Sequence, residues 1–159
     1  MSFLNTNNLP VGYKIIIEIF DAFNPGEKIY LITNSHEAIF LSKDPYLSTG
    51  FRDEDEPGYS LNEFTVPLSS LSWLVDIIEN KFWKKPSQGG APVDVLHYKN
   101  TVGGEDLKIR FTPNCLKEFE PGITIKNYSR PHRRSKFSSI AIPYYTLKDK
   151  KLLQAMKSV

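Results

Sequence analysis

Along this chain short apolar runs of strand length are separated by turn residues, and only twice does the period lengthen to that of a helix. Residues 13–23 (YKIIIEIFDAF), rich in Ile and Phe, predict a strand. Asn24-Pro25-Gly26 predicts a turn, because Pro presets φ and Gly admits a positive one. Residues 28–33 (KIYLIT) and 37–42 (EAIFLS) predict two more strands around a turn at Asn34-Ser35-His36. Residues 44–59 are polar and acidic, with Pro45, Gly50, Pro57 and Gly58, and predict a long exposed loop. Residues 62–68 (NEFTVPL) predict a fourth strand.

The first helix follows. Leu71, Leu74, Val75, Ile77, Ile78 and Phe82 recur at three- and four-residue spacing, with Ser69 or Ser70 as N-cap. Lys81, Lys84 and Lys85 near its C-terminal end suit the helix dipole. Pro86-Ser87-Gln88-Gly89-Gly90 cannot continue a helix. Strands are then expected over 93–100, 107–112, 123–128 and 136–142, with a hairpin turn at Gly103-Gly104 and loops over 113–122 and 129–135. A last helix is expected to start near Tyr145 or Thr146 and to carry Leu147, Leu152, Leu153 and Met156.

The order is therefore given twice. Gly26-Glu27-Lys28-Ile29-Tyr30-Leu31-Ile32 answers Gly104-Glu105-Asp106-Leu107-Lys108-Ile109-Arg110, and Phe64-Thr65-Val66-Pro67 before Leu71 answers Ile140-Ala141-Ile142-Pro143 before Leu147. Two short matches at nearly equal offsets, in one order, point to an internal repeat. The expected fold is α+β: two tandem ββββα repeats, each antiparallel sheet backed by one helix, forming an internal pseudo-dimer. Residues 1–159 form a single domain, with repeat one at 11–85, a linker at 86–92 and repeat two at 93–159.

Composition narrows the function. At 159 residues and 40% hydrophobic the chain is long and apolar enough for a real core. No apolar run of about 18 residues suggests a membrane span, and the N-terminus lacks the basic and apolar regions of a secretory signal. Cytosol or an organelle matrix is the expected location. Cys115 is the one cysteine, so no intrachain disulfide forms, and it reads as a free thiol in a loop. With three scattered histidines, a metal site is not expected. No phosphate-cradling GxxxxGK loop, HExxH motif or GxSxG elbow is present, and no enzyme or cofactor is expected. The net charge of +2 hides a division: residues 1–86 carry 7 Lys and Arg against 12 Asp and Glu, residues 87–159 carry 13 against 6. Either one face meets a polyanion, or the halves attract each other.

Strand-strand-strand-strand-helix, given twice, resembles the PUR-alpha and Whirly group of nucleic-acid-binding proteins. Kinetoplastid mitochondrial RNA-binding proteins and positive-cofactor-four type coactivators share that unit. The phrases Phe64-Thr65-Val66-Pro67-Leu68-Ser69-Ser70-Leu71 and Ile140-Ala141-Ile142-Pro143-Tyr144-Tyr145-Thr146-Leu147 look like its last-strand-to-helix junction. Leu107-Lys108-Ile109-Arg110 looks like the basic second strand of a PUR repeat. The lysine-glycine-lysine-alanine-alanine-leucine signature of plant Whirly proteins is absent. The resemblance implies binding of single-stranded DNA or RNA, by dimers or larger assemblies, in replication, recombination or transcription control.

Candidate contacts lie on the open sheet faces, where bases stack on rings and phosphates meet cations. In the second repeat they are Lys108 and Arg110 on one strand face, Lys126 and Tyr128 on another, Tyr98 and Lys99, and the basic stretch Arg130, Arg133, Arg134 and Lys136. Lys28 and Tyr30 are the candidates in the first repeat, while Tyr13 and Phe40 also read as core. Asp53-Glu54-Asp55-Glu56 reads as a solubility loop or a contact for a basic partner. Trp73, Phe82 and Trp83 read as core or as a self-association surface. An alternative function is a protein-interaction or assembly module with this fold and no nucleic-acid affinity.

Overall fold

Two four-stranded antiparallel sheets, given one after the other in the chain, make an α+β architecture of two repeated sheet units in this computed structural model, which describes residues 3–20, 27–45, 59–115, 119–131 and 138–159. The first sheet holds β1 (Lys14–Phe20), β2 (Lys28–Thr33), β3 (Glu37–Pro45) and β4 (Tyr59–Pro67), in that order. The second holds β5 (His97–Val102), β6 (Glu105–Thr112), β7 (Gly122–Asn127) and β8 (Ser138–Pro143), likewise in order. The turn expected at Asn24-Pro25-Gly26 lies outside the described residues, as does most of the acidic loop. At Asn34-Ser35-His36 the turn forms as expected: the Asn34 side-chain oxygen accepts from the backbone N–H groups of His36 and Glu37.

The helical parts depart from the expected single helix per repeat. After β4 a 3₁₀ turn (Leu68–Ser70) leads into α1 (Leu71–Ile77), which runs on as a π-turn over Ile78–Phe82. There the Trp83 N–H reaches the Ile78 carbonyl five residues back. Neither Ser69 nor Ser70 caps the helix through its side chain; the Ser70 hydroxyl instead donates to the Pro67 carbonyl, which stabilises the turn before the helix. After β8 come two short helices, α2 (Tyr144–Lys148) and α3 (Leu152–Lys157), separated because Lys151 adopts a left-handed φ of 67°. α2 lies against β7 and β8 of its own sheet, whereas α3 lies against β1 and β2 of the other.

The repeated junction is visible in the backbone. Pro67 and Pro143, at the ends of β4 and β8, hold nearly the same extended conformation and each turns directly into helical structure. Leu71 and Leu147 follow, both buried. One core spans both halves, with Leu31, Phe40 and Phe64 from the first sheet and Ile109, Ile125 and Ile142 from the second. Trp73, Phe82 and Trp83 pack against this core and are half-buried; the Trp83 ring meets Tyr144 edge-on at 5.5 Å.

The first sheet is covered on its other face too. Tyr30, Ile32, Ile39 and Leu41 form a second buried cluster under Phe3, Leu4, Leu9 and Tyr13. The Leu4 N–H donates to the Glu63 carboxylate at 2.9 Å and ties this N-terminal segment to β4. The expectation of an open outer face on both sheets therefore fails for the first.

Candidate nucleic-acid interface

The geometry of the second sheet starts from its hairpin turn. Gly103 and Gly104 have φ of 60° and 81°, the positive pair a tight two-residue hairpin needs, and glycine reaches it without a Cβ clash. This turn fixes the register of β5 on β6 as Val102 opposite Glu105, Thr101 opposite Asp106 and Lys99 opposite Lys108. The alternation expected over 107–111 holds: Leu107 and Ile109 are buried, and Lys108 and Arg110 stand on the outward face.

Register across the sheet assembles the cations. Lys99 faces Lys108, Lys108 faces Lys126 and Lys126 faces Ser139, one continuous cross-strand row. Strands about 4.8 Å apart place the three ammonium stems within about 10 Å. A parallel row two residues along, about 6.6 Å away, holds His97, Arg110, Thr124 and Ala141. The row on the other side holds Thr101 and Asp106, and there the Tyr128 N–H donates to the Asp106 carbonyl and extends the ladder past β7. The Thr101 hydroxyl donates to the Asp106 carboxylate at 2.6 Å. Lys99 Nζ lies 5.8 Å from the centre of the Tyr128 ring, which is 39% exposed. Lys99, Thr101, Asp106 and Tyr128 line a shallow groove on this face. Lys108 and Arg110 have no ion pair among the described residues. Compared with known proteins, the chain matches no family model, no curated sequence and no solved structure.

Of the twelve residues expected in the interface, Lys99, Lys108, Arg110, Lys126 and Tyr128 come together on this one face. Tyr98 does not: strand alternation turns it inward, where its ring lies 5.9 Å from Phe82. Tyr30 does not either, since the N-terminal segment leaves it 3% exposed. Lys28 belongs to the first sheet, with Nζ 4.8 Å from the Phe20 ring centre. Arg133, Arg134 and Lys136 lie outside the described residues.

Arg130 is not a free phosphate clamp but a brace between the halves. Its Nε and Nη2 donate to the two carboxylate oxygens of Glu105 at 2.6 and 3.1 Å, and its Nη1 to Glu37 of the first half. The fully buried Asn127 donates from Nδ2 to Glu105 and to the Thr65 carbonyl, again across the halves. The Glu37 carboxyl is held below its ordinary value by the Asn34 amide and by Arg130, which together outweigh burial. For Glu105 burial pulls upward, but hydrogen bonds from Arg130 and Asn127 bring the net shift down. The Arg130 guanidinium is correspondingly pushed further up by Glu105 and Glu37.

Thr101, Asp106 and Thr124 complete the face and were not among the expected contacts. The signal for the first two was the glycine pair itself. A two-residue hairpin dictates which residues oppose which, and it extends the fifth strand beyond the expected end at residue 100. Among the described residues no group of three or more His, Cys, Asp and Glu is placed to hold a metal ion, and no helix is long and apolar enough to cross a membrane.

Proposed function

We propose that this chain is a non-catalytic single-stranded nucleic-acid-binding protein that works through the outward face of its second sheet, in replication, recombination or transcription control. The row Lys99–Lys108–Lys126 carries this reading. Lys99 and Lys108 stand directly opposite each other, and like charges so placed destabilise a sheet, a cost that a bound polyanion removes; Lys126 continues the row. Arg110 adds a further cation one row along, at a spacing an extended phosphate backbone can follow, and Tyr128 beside Lys99 supplies a ring for stacking a base. A broad sheet face suits splayed bases, whereas a duplex keeps its bases stacked away from such a ring. The two halves act as an internal pseudo-dimer of the PUR-alpha and Whirly type, in which only the second unit keeps a binding face.

The test is fluorescence polarisation with a labelled single-stranded oligonucleotide at two ionic strengths. With four cations engaged, log K should fall against log salt with a slope of about −3. One strand should bind per chain. Charge reversal at Lys108 and Arg110 should weaken binding about tenfold or more, and reversal at the exposed Lys84 and Lys85 should weaken it much less. Binding indifferent to salt, or equal loss in both double variants, rejects the reading. Capture of a protein partner with no nucleic-acid affinity would establish the interaction-module alternative instead.

A further inference from the structure

Lys99, Thr101, Asp106 and Tyr128 meet in one groove of the outward face, and the proposed function leaves Asp106 without a role. It is the one carboxylate on this face among the described residues, exposed beside Lys99, Lys108, Lys126 and Arg110. A phosphate backbone lying along the lysines is repelled by it. Among the described residues no ion pair neutralises Asp106, although Lys108 stands two residues along the same strand face. The carboxylate is nevertheless held in place. The Thr101 hydroxyl donates to its Oδ1 at 2.6 Å, the Asp106 N–H donates to Ser129 Oγ at 2.9 Å, and the Asp106 carbonyl accepts from the Tyr128 N–H. A carboxylate only accepts hydrogen bonds, and Thr101 takes one of its about four lone-pair positions. What remains is a fixed, charged acceptor set among cations.

Its neighbours decide which donor that acceptor meets. Lys99 Nζ and the centre of the Tyr128 ring are 5.8 Å apart, and Asp106 belongs to β6, the strand between the two that carry them. Under the proposed function a phosphate meets Lys99 and a base stacks on Tyr128. Within one nucleotide the sugar joins these two groups, so the sugar is the part that passes over β6 beside Asp106. We propose that Asp106 accepts the 2′-hydroxyl of that sugar, and that the second sheet selects single-stranded RNA over DNA. The inference rests on the nucleic-acid reading. With ribose, the hydroxyl gives the carboxylate a charge-assisted hydrogen bond. With deoxyribose a C–H group stands there, and only the repulsion between carboxylate and phosphates is left.

The test is polarisation competition on the intact chain between oligo(U) and oligo(dU) of one length, which differ only at the 2′ position. The RNA should bind about fivefold more tightly, as one exposed hydrogen bond allows. A 2′-fluoro oligo(U), which keeps a ribose-like sugar pucker but has no donor there, should bind like oligo(dU). Asp106→Ala should weaken RNA binding and strengthen DNA binding, since a negative charge leaves the face, and so bring their ratio close to one. The comparison of the three oligonucleotides needs no variant, so the proposal stays testable if the substitution prevents folding. Equal affinity for RNA and DNA, 2′-fluoro binding as tight as RNA, or a folded Asp106→Ala variant that keeps the ratio overturns it. A change of base preference in that variant, alike in RNA and DNA, would assign the carboxylate to a base and overturns it too. All these results leave salt-dependent binding through the lysine row standing, whereas failure of every oligonucleotide to bind overturns the nucleic-acid reading and this inference with it.

Discussion

Lys108 and Lys126 stand directly opposite each other across β6 and β7. Lys99 stands opposite Lys108 on its other side. Repulsion within this row should trade stability for affinity. Lys108→Thr is expected to stabilise the unliganded protein by about 0.2–1 kcal/mol at low salt, with the gain shrinking as salt screens the row. The same variant should bind an oligonucleotide less well. Urea unfolding at two salt concentrations, beside polarisation titrations, reads both effects. Destabilisation of the free protein at low salt would show that the row is not repulsive.

The brace made by Arg130 predicts acid sensitivity. Glu37 and Glu105 both have carboxyls lowered from 4.5 in the folded state. A lowered carboxyl contributes stability above its unfolded value, and that stability is lost as pH falls through the folded value. Unfolding free energy should therefore decline from about pH 4.5 downward. Arg130→Gln should cost about 1–2 kcal/mol at pH 7, a modest figure because the Arg130 side chain is 35% exposed. It should also flatten the acid decline, and an unchanged pH profile in this variant would exclude the brace.

The N-terminal segment is predicted to be part of the fold rather than a tail. Removing residues 1–13 uncovers Tyr30, Ile32, Ile39 and Leu41, and should lower Tm and produce binding of a hydrophobic dye. Glu63 provides an internal control. Burial under the segment pushes its carboxyl up, despite the hydrogen bond from Leu4. A raised carboxyl favours folding below its unfolded value, and the benefit is lost as pH rises through the folded value. Glu63→Gln should accordingly be tolerated, or stabilise, at pH 7. Because the uncovered face is apolar, the truncated chain should gain no oligonucleotide affinity; a gain would show that the segment masks a second site.

Cys115 is expected to be inert in the folded protein. It is 1% exposed, its Sγ lies 3.8 Å from the Ile123 carbonyl, and burial pushes its thiol up to about 11. At neutral pH almost no thiolate forms, so a disulfide reagent should react only as the chain unfolds. Rapid reaction without denaturant would contradict this packing.

How much of this was legible before folding depends on how local the information is. The alternation Leu107-Lys108-Ile109-Arg110 puts two cations on one side of a strand by backbone geometry alone, and Gly103-Gly104 dictates the hairpin that aligns Lys99 with Lys108. Residues 28–32 and 106–110, which answer each other in the sequence, both lie in the second strand of their sheet. The outward positions differ between them, Tyr30 and Ile32 in one half, Lys108 and Arg110 in the other. The unbroken apolar runs at 29–32 and 38–41 are the pattern of strands buried on both faces, and the first sheet is covered on both.

The order of the strands and the cationic alternation were settled by the sequence, since each follows from neighbours within a few residues, and so was the repeat, since two stretches of each half answer those of the other in the same order. Which segment covers the first sheet, that Arg130 is drawn to Glu37 and Glu105, and that α3 crosses to β1 and β2 were decided only in three dimensions. Those outcomes depend on residues far apart in the chain competing for the same buried surface and the same charges, and no local pattern records who wins.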